Sequence, residues 1–294
     1  VVQRYGKEVL GGAETYAQIL AGALSEDFNV TVLTTTAKDH EHWKPFYSEG
    51  SSQENNVTVI RFNTDFERTG YFHELHRIYL NGVDINNFAN LQTEEKSKFM
   101  DWAQNLPLAF QDELIRSQGP YSSELLNYIK QSVDIFDKFI FVTYLYPTTY
   151  FGVQKIKDKS KILIQTALHD EPIAYLPIWR EYKRYKLLFY TEEEKNIASL
   201  LWGNEDGEVV GYGMRDTYVK KSPCDEKYLL YAGRIDSGKG IDNLIEYFKK
   251  YKEQNPESKI KLKLIGRNTM GLKSDTKNGI DIIGFVDEDK KLEL

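Results

Sequence analysis

The 294 residues contain a single cysteine, Cys224. One thiol cannot close an intrachain disulfide, so a reducing compartment is the simpler expectation. Cys224 itself, beside Pro223, reads as an inert thiol in a linker. No apolar run approaches the roughly 18 residues of a membrane span, and no charged-then-apolar leader opens the chain, so a soluble, cytoplasmic protein is expected. Positive charge is not in excess either. The 38 Lys and Arg stand against 44 Asp and Glu, a net charge of −6, which argues against a nucleic-acid partner and leaves small molecules or proteins. Histidine is scarce, with five in the chain. His40 with His42, and His73 with His76, form two close pairs. His73 and His76 fit one helical face, but no third ligand stands at metal-site spacing. These four are read as solvent-facing, and no metal is expected.

What is present suits a globular protein. Hydrophobic residues make up 41%, charged residues 28% and aromatics 13%, too apolar for disorder. At roughly 100 to 200 residues per domain, the length implies two domains. Charge is unevenly shared: residues 221–294 carry 15 basic and 13 acidic side chains. The remainder is therefore net negative, and the C-terminal part is better suited to an anion. Both ends read as cut, since only Val1, Val2 and Gln3 precede the first loop and the chain stops in a helical pattern at Leu294.

Short apolar runs alternate with helical spacings. Strands are expected at 29–34, 57–62, 139–144, 162–165 and 187–190, and helices at 13–26, 149–156 and 191–201. That alternation implies a mostly parallel, doubly wound α/β sheet. Residues 67–130 break the rhythm with helical patterns and no strand, as a helical insertion able to act as a lid. Its aromatics Tyr71, Phe72, Tyr79 and Trp102 could face sugar rings, but core positions are the commoner fate of such residues. Residues 209–213 read as the last strand and turn of a first domain, 1–215. The polar stretch around Pro223 reads as a linker opening a second domain, 216–294. There, strands at 228–232, 261–265 and 280–283 enclose a helix at 241–251.

Two glycine-bearing loops stand where strands feed helices. Gly233-Arg-Ile-Asp-Ser-Gly-Lys239-Gly240 places Arg234 and Lys239 at a βα turn, where backbone N–H groups and a helix N-terminus can hold a phosphate. A P-loop would need Ser or Thr after the lysine to bind Mg²⁺. Gly240 stands there, so NTP hydrolysis is the lesser reading and a metal-free diphosphate site the better one. A plain turn with solvated charges is the bland alternative. Gly11-Gly12-Ala13-Glu14 occupies the equivalent place in the first domain. Gly211 and Gly213 lack the third glycine of a dinucleotide fingerprint, since Asp216 stands at that position. His169-Asp170-Glu171-Pro172 follows a strand at the ligand-binding end of an open α/β sheet.

Together these motifs resemble the retaining glycosyltransferases of family 4. The resemblance rests on Gly11-Gly12-Ala13-Glu14, on His169-Asp170-Glu171-Pro172, and on Gly233-Arg234 with Lys239-Gly240. Gly266 and Gly284-Phe285-Val286 extend it into the second domain. Arg4-Tyr5-Gly6-Lys7-Glu8-Val9, with Asp39 and Trp43, is similar to one bacterial branch.

The resemblance implies the GT-B architecture: two Rossmann-like doubly wound domains, the first with the helical insertion and the second truncated. It implies sugar transfer from a nucleotide-diphosphate-sugar to a hydroxyl acceptor, a glycan or lipid-linked sugar, with retention of configuration, as in polysaccharide biosynthesis. Gly11 and Gly12 would meet donor phosphate and acceptor, with Glu14 and Asp170 nearby. Arg234 and Lys239 would hold the diphosphate beside Gly233, Gly240 and Gly266, while His169 would position the transferred sugar. The donor is a co-substrate, so no cofactor and no metal is implied. A peripheral association with the inner face of the membrane is compatible with a lipid-linked acceptor. The family's Glu-x7-Glu segment has no counterpart: Glu41 and Glu49 have that spacing, but in a first-domain loop. A nucleotide-sugar epimerase and a non-catalytic nucleotide-sugar or glycan-binding module share the same donor motifs and stand as rivals.

Overall fold

The structure is a computed structural model that describes residues 1–9, 11–213 and 227–294. The expected linker around Pro223 and Cys224 lies outside the described residues. The chain divides into two compact units, Val1–Arg215 and Asp216–Leu294.

In the first unit, short β-branched and apolar runs form parallel strands because both faces of each are covered. β1 (Thr31–Thr35) pairs with β3 (Val57–Phe62), Val32 opposite Val59. β4 (Phe139–Val142), β5 (Ile162–Gln165), β6 (Lys186–Phe189) and β7 (Glu208–Val209) form a second parallel set. Val1 and Val2 join the two: Val2 N donates to Leu33 O at 3.0 Å, and Val142 N donates to Val1 O at 2.9 Å. Strand order therefore reverses at residues 1–2. The chain first builds outward through β1 and β3, then returns to the other side with β4. Such a reversal opens a crevice at the carboxyl ends of the strands, the binding place of open α/β sheets.

Two differences from the sequence reading have local causes. β2 (Gly50–Glu54), an antiparallel edge strand on β3, was not anticipated, because its Gly-Ser-Ser-Gln-Glu sequence is polar and it buries no apolar face. The strand expected at 209–213 shrinks to the two residues of β7, since the backbone turns at Gly211, with φ of 73°.

α1 (Gly12–Leu24) leads from residues 1–2 towards β1. Residues 67–131 hold four helices, α2 (Gly70–Leu80), α3 (Thr93–Gln104), α4 (Leu108–Gln118) and α5 (Ser123–Gln131). Side-chain oxygens of Thr69 and Ser122 cap α2 and α5 by accepting from Tyr71 N and Leu125 N, satisfying N–H groups that lack partners within the helix. These helices share one core with the sheet: Phe99, Leu114, Ile115 and Ile129 pack with Phe139, Phe141 and Ile164. α6 (Pro147–Val153) follows β4, and α7 (Glu192–Trp202) follows β6. Between β5 and β6 the crossover consists of two 3₁₀ turns, Pro172–Tyr175 and Pro177–Arg184, each opened by proline. Fully buried Trp179, Tyr182 and Trp202 hold this crossover against Tyr144.

In the second unit β8 (Tyr228–Ala232), β9 (Lys261–Ile265) and β10 (Ile280–Gly284) run parallel in the order β10, β9, β8. α8 (Ile241–Gln254) lays Ile241 and Phe248 over Leu262, Leu264 and Ile280. α9 (Glu288–Glu293) follows β10.

The loops after β8 and β9 touch backbone to backbone. Gly266 has φ of +133°, and a Cβ there would stand 1.8 Å from Gly233 O. Only glycine permits both the dihedral and the approach. Gly266→Ala is expected to lower the stability of the second unit by about 2 to 4 kcal/mol. All four tryptophans lie before residue 215, so the loss is best read as faster hydrogen exchange at the β8 to β10 amides. Unchanged exchange would show that the loops separate without cost.

Candidate active site

The loop after residues 1–2 is fixed by a buried ion pair. Glu14, in the first turn of α1 and 3% exposed, accepts at Oε1 from Arg4 Nε at 2.9 Å, Arg4 Nη2 at 2.5 Å and Gln3 Nε2 at 2.9 Å. Arg4 Nη1 donates to Lys38 O at 2.7 Å. Gly11 is the N-cap of α1, and a Cβ there would lie 2.0 Å from Glu14 Oε2. Gly12 is open, with nothing within 4 Å of its Cβ position. The glycine pair thus presents backbone at a helix N-terminus, while Glu14 faces inward to Arg4.

Tyr16 connects this helix start to β5. Its hydroxyl donates to Gln165 Oε1 at 3.3 Å, and its ring meets Tyr190 and Tyr212 at 4.8 and 5.1 Å. Tyr212 donates to Gly12 O at 3.1 Å. Gln165 Nε2 and the Tyr190 hydroxyl are buried and have no hydrogen-bond partner among the described residues.

Beyond β5, His169 is exposed at the crevice. Asp170 accepts from Lys96 Nζ at 2.6 Å and Tyr175 OH at 2.8 Å, which ties the loop to α3. Glu171 accepts from Tyr144 OH at 3.0 Å. Burial raises its pKa, and the Tyr144 bond and His169 only partly offset that. Glu194, near the start of α7, is also raised by burial, against bonds from Tyr190 N and Thr166 Oγ1 and the His169 charge. His169 therefore stands near two carboxyls whose pKa values burial raises. The loop keeps its shape because buried rings donate to its carbonyls: Tyr79 OH to Pro172 O, Trp179 Nε1 to Ile173 O at 2.6 Å, and Trp202 Nε1 to Ala174 O at 2.9 Å.

Beside it lies a cavity of about 190 Å³ lined by Arg68, Phe72, His76, Ile85, Gln118, Leu145, Glu171, Pro172 and Ile173. Leu145 follows β4 and Glu171 follows β5, so the cavity opens at the carboxyl end of the sheet. The solvent-facing reading of His76 is corrected here: its ring is half-buried against Phe72, centroids 5.4 Å apart and nearly parallel. Among the four aromatics singled out, Phe72 lines the cavity and Tyr79 is fully buried, while Trp102 Nε1 donates to Tyr79 O and Tyr71 is 53% exposed. Arg68 carried no sequence signal, and Glu194 was hidden in Thr191-x-x-Glu194, the pattern of a helix cap.

In the second unit, Gly233, Arg234, Lys239, Gly240 and Gly266 gather at the carboxyl ends of β8 and β9. Arg234 is exposed, its Nε 3.3 Å from Asp236. Lys239 is exposed in the 3₁₀ turn Ser237–Lys239. Gly240, at φ of 68°, is the N-cap of α8 and offers no side-chain cap, so the first N–H groups of α8 remain available to an anion. No helix among the described residues is long and apolar enough to cross a membrane, and no group of His, Cys, Asp and Glu among them could hold a metal ion.

The raised Glu171 makes stability depend on pH. Its contribution is complete below the ordinary glutamate pKa of about 4.3 and is lost as pH rises through the higher folded value. Glu171→Gln keeps an acceptor for Tyr144 and cannot ionise. The variant's denaturation midpoint should therefore gain on the wild type as pH rises from 4 to neutrality. Parallel pH profiles would exclude an ionising carboxyl here.

No family model and no curated protein matches the chain. Its backbone is similar to a solved trehalose-6-phosphate synthase, OtsA, with a TM-score of 0.53 at 14% identity over 92% of this chain and 65% of that one. The α,α-trehalose-phosphate synthase (UDP-forming) of Burkholderia vietnamiensis gives 0.49 at 11%, over 92% and 63%. The enzyme of Burkholderia multivorans gives 0.49 at 12%, over 95% and 64%. The chain thus spans a little under two thirds of the length of these structures. At such identities the likeness is one of fold: α/β, with the Rossmann-like units of the GT-B architecture.

Proposed function

We propose that the chain belongs to a glycosyltransferase that takes a sugar from a nucleoside-diphosphate donor and passes it to a hydroxyl acceptor with retention of configuration. The observation that carries this reading is the loop between β8 and α8. Arg234 and Lys239 stand exposed there, beside the uncapped N-terminus of a 14-residue helix. Two cations and free backbone N–H groups at the carboxyl end of a parallel sheet suit a diphosphate. The shared fold with a trehalose-6-phosphate synthase supports a sugar substrate.

In this reading Arg234 offers a planar fork and Lys239 a mobile charge. Together they bind the diphosphate and balance its charge as it leaves, which removes the need for a metal. Gly233 and Gly266 keep the loop compact, and Gly240 lets the phosphates approach the helix. His169 positions the transferred sugar, and Asp170, tied to Lys96, orients the loop that carries it. Gly11 and Gly12 offer backbone N–H groups at the start of α1. The donor is a co-substrate, and the acceptor is a glycan or a lipid-linked sugar, the latter reached by peripheral contact with a membrane.

Replacing both Arg234 and Lys239 by Ala should weaken calorimetric binding of a nucleoside diphosphate at least about tenfold, the scale of losing charge-assisted hydrogen bonds, while circular dichroism is unchanged. Wild-type binding should persist in excess chelator. Unaltered affinity in the double variant would refute the assigned roles.

A further inference from the structure

The cavity of the first unit contains a cation without an anion. Arg68 Nε donates to Gln118 O at 2.7 Å. Its guanidinium lies between two rings, the central carbon 5.1 Å from the centre of Trp43 and 4.7 Å from that of Phe72. Its other two nitrogens make no hydrogen bond or ion pair among the described residues, and Asp39 and Glu41 act on it only through space. The buried arginines of the unit differ. Arg4 is paired with Glu14, and Arg61 with Glu54 at 2.5 Å. Arg68 is half-buried, so these donors hold water that an anion can displace, and partial desolvation strengthens the pairing that results.

The groups around it fit the same ligand. His76, one turn beyond Phe72 on α2, lines the cavity, and its ring nitrogens have no partner among the described residues. Its pKa is lowered by burial and by the nearby charges of His73 and Arg68, as expected where the local potential is positive. At the other end Glu171 uses Oε1 to accept from Tyr144, leaving an oxygen for a hydroxyl. A volume of about 190 Å³ equals some six waters at about 30 Å³ each, room for one sugar ring.

We propose that this cavity binds a monosaccharide bearing an oxyanion, with the phosphate or carboxylate on Arg68 and His76 and a ring hydroxyl on Glu171. That the ligand is the acceptor rests on the glycosyltransferase reading; the binding itself does not.

Calorimetry on the chain with a hexose monophosphate, a hexuronate and the neutral hexose tests it. At least one anionic sugar should bind about tenfold or more tightly than the neutral one, and the better of the two identifies the natural group. Arg68→Gln should remove that preference. Because Arg68 also tethers Gln118, Leu145→Trp provides a second test: it fills the cavity, leaves the charge in place, and should abolish binding. Equal affinity for all three sugars, no binding at all, or binding that survives Leu145→Trp would overturn the proposal. If the anionic sugar binds while nucleoside diphosphate does not, the glycosyltransferase reading fails and the anion site stands.

Discussion

The buried pair of Arg4 and Glu14 is the constraint on which the first unit's crevice depends. Three segments meet at it: the loop after residues 1–2, the first turn of α1, and the loop after β1 through Lys38 O. A carboxylate in the first turn is favoured by the helix dipole, and the two Arg4 bonds and the Gln3 bond to Glu14 Oε1 compensate for its desolvation. Such a pair adds little net stability over apolar residues of the same size. Removing one partner strands a buried charge at a cost of about 3 to 5 kcal/mol. Its effect is therefore to allow one arrangement of the loop, in which Glu14 faces inward and Gly12 is left clear.

A second chain of contacts runs from the same place to the cavity. Asp39 accepts from four successive backbone N–H groups, Glu41 to Lys44. Burial works against its charge, but these donors outweigh it and hold the pKa low. The turn so fixed presents Trp43, fully buried, whose Nε1 donates to Gln118 O at 2.6 Å. That carbonyl also receives Arg68 Nε. One backbone oxygen thus orients the tryptophan and the cation stacked on it, and the cavity wall follows from a loop some thirty residues earlier in the chain.

What could be read from the sequence was local. The strands Val57–Phe62, Ile162–Gln165, Tyr228–Ala232 and Lys261–Ile265 are apolar enough to be placed to the residue, and the alternation of strand and helix implied the doubly wound sheet. Gly11-Gly12 and the stretch from Gly233 to Gly240 could be placed in βα loops because such a loop concentrates its glycines and charges within a few residues. The cavity was not visible. Arg68 and His76 stand on one stretch entering α2, but Gln118, Leu145 and Glu171 come from three further segments with no spacing to link them, and His76 passes for a surface residue until Phe72 and the loop after β5 are brought beside it.

The two units also meet charge in different ways. In the first, the buried Arg4 and Arg61 are desolvated and each has a carboxylate, while the half-buried Arg68 has only rings and a carbonyl. In the second, Arg234 and Lys239 stand in water, where a charge at 4 Å contributes about 1 kcal/mol and salt screens it further. Exposed cations alone would hold a diphosphate weakly and without orientation. What adds geometry is the backbone, because α8 begins at Gly240 with no side chain covering its first N–H groups. The close approach of Gly233 and Gly266 fixes the loop from which those groups project, so that in the proposed reading the main chain would orient the phosphates and the side chains would supply charge.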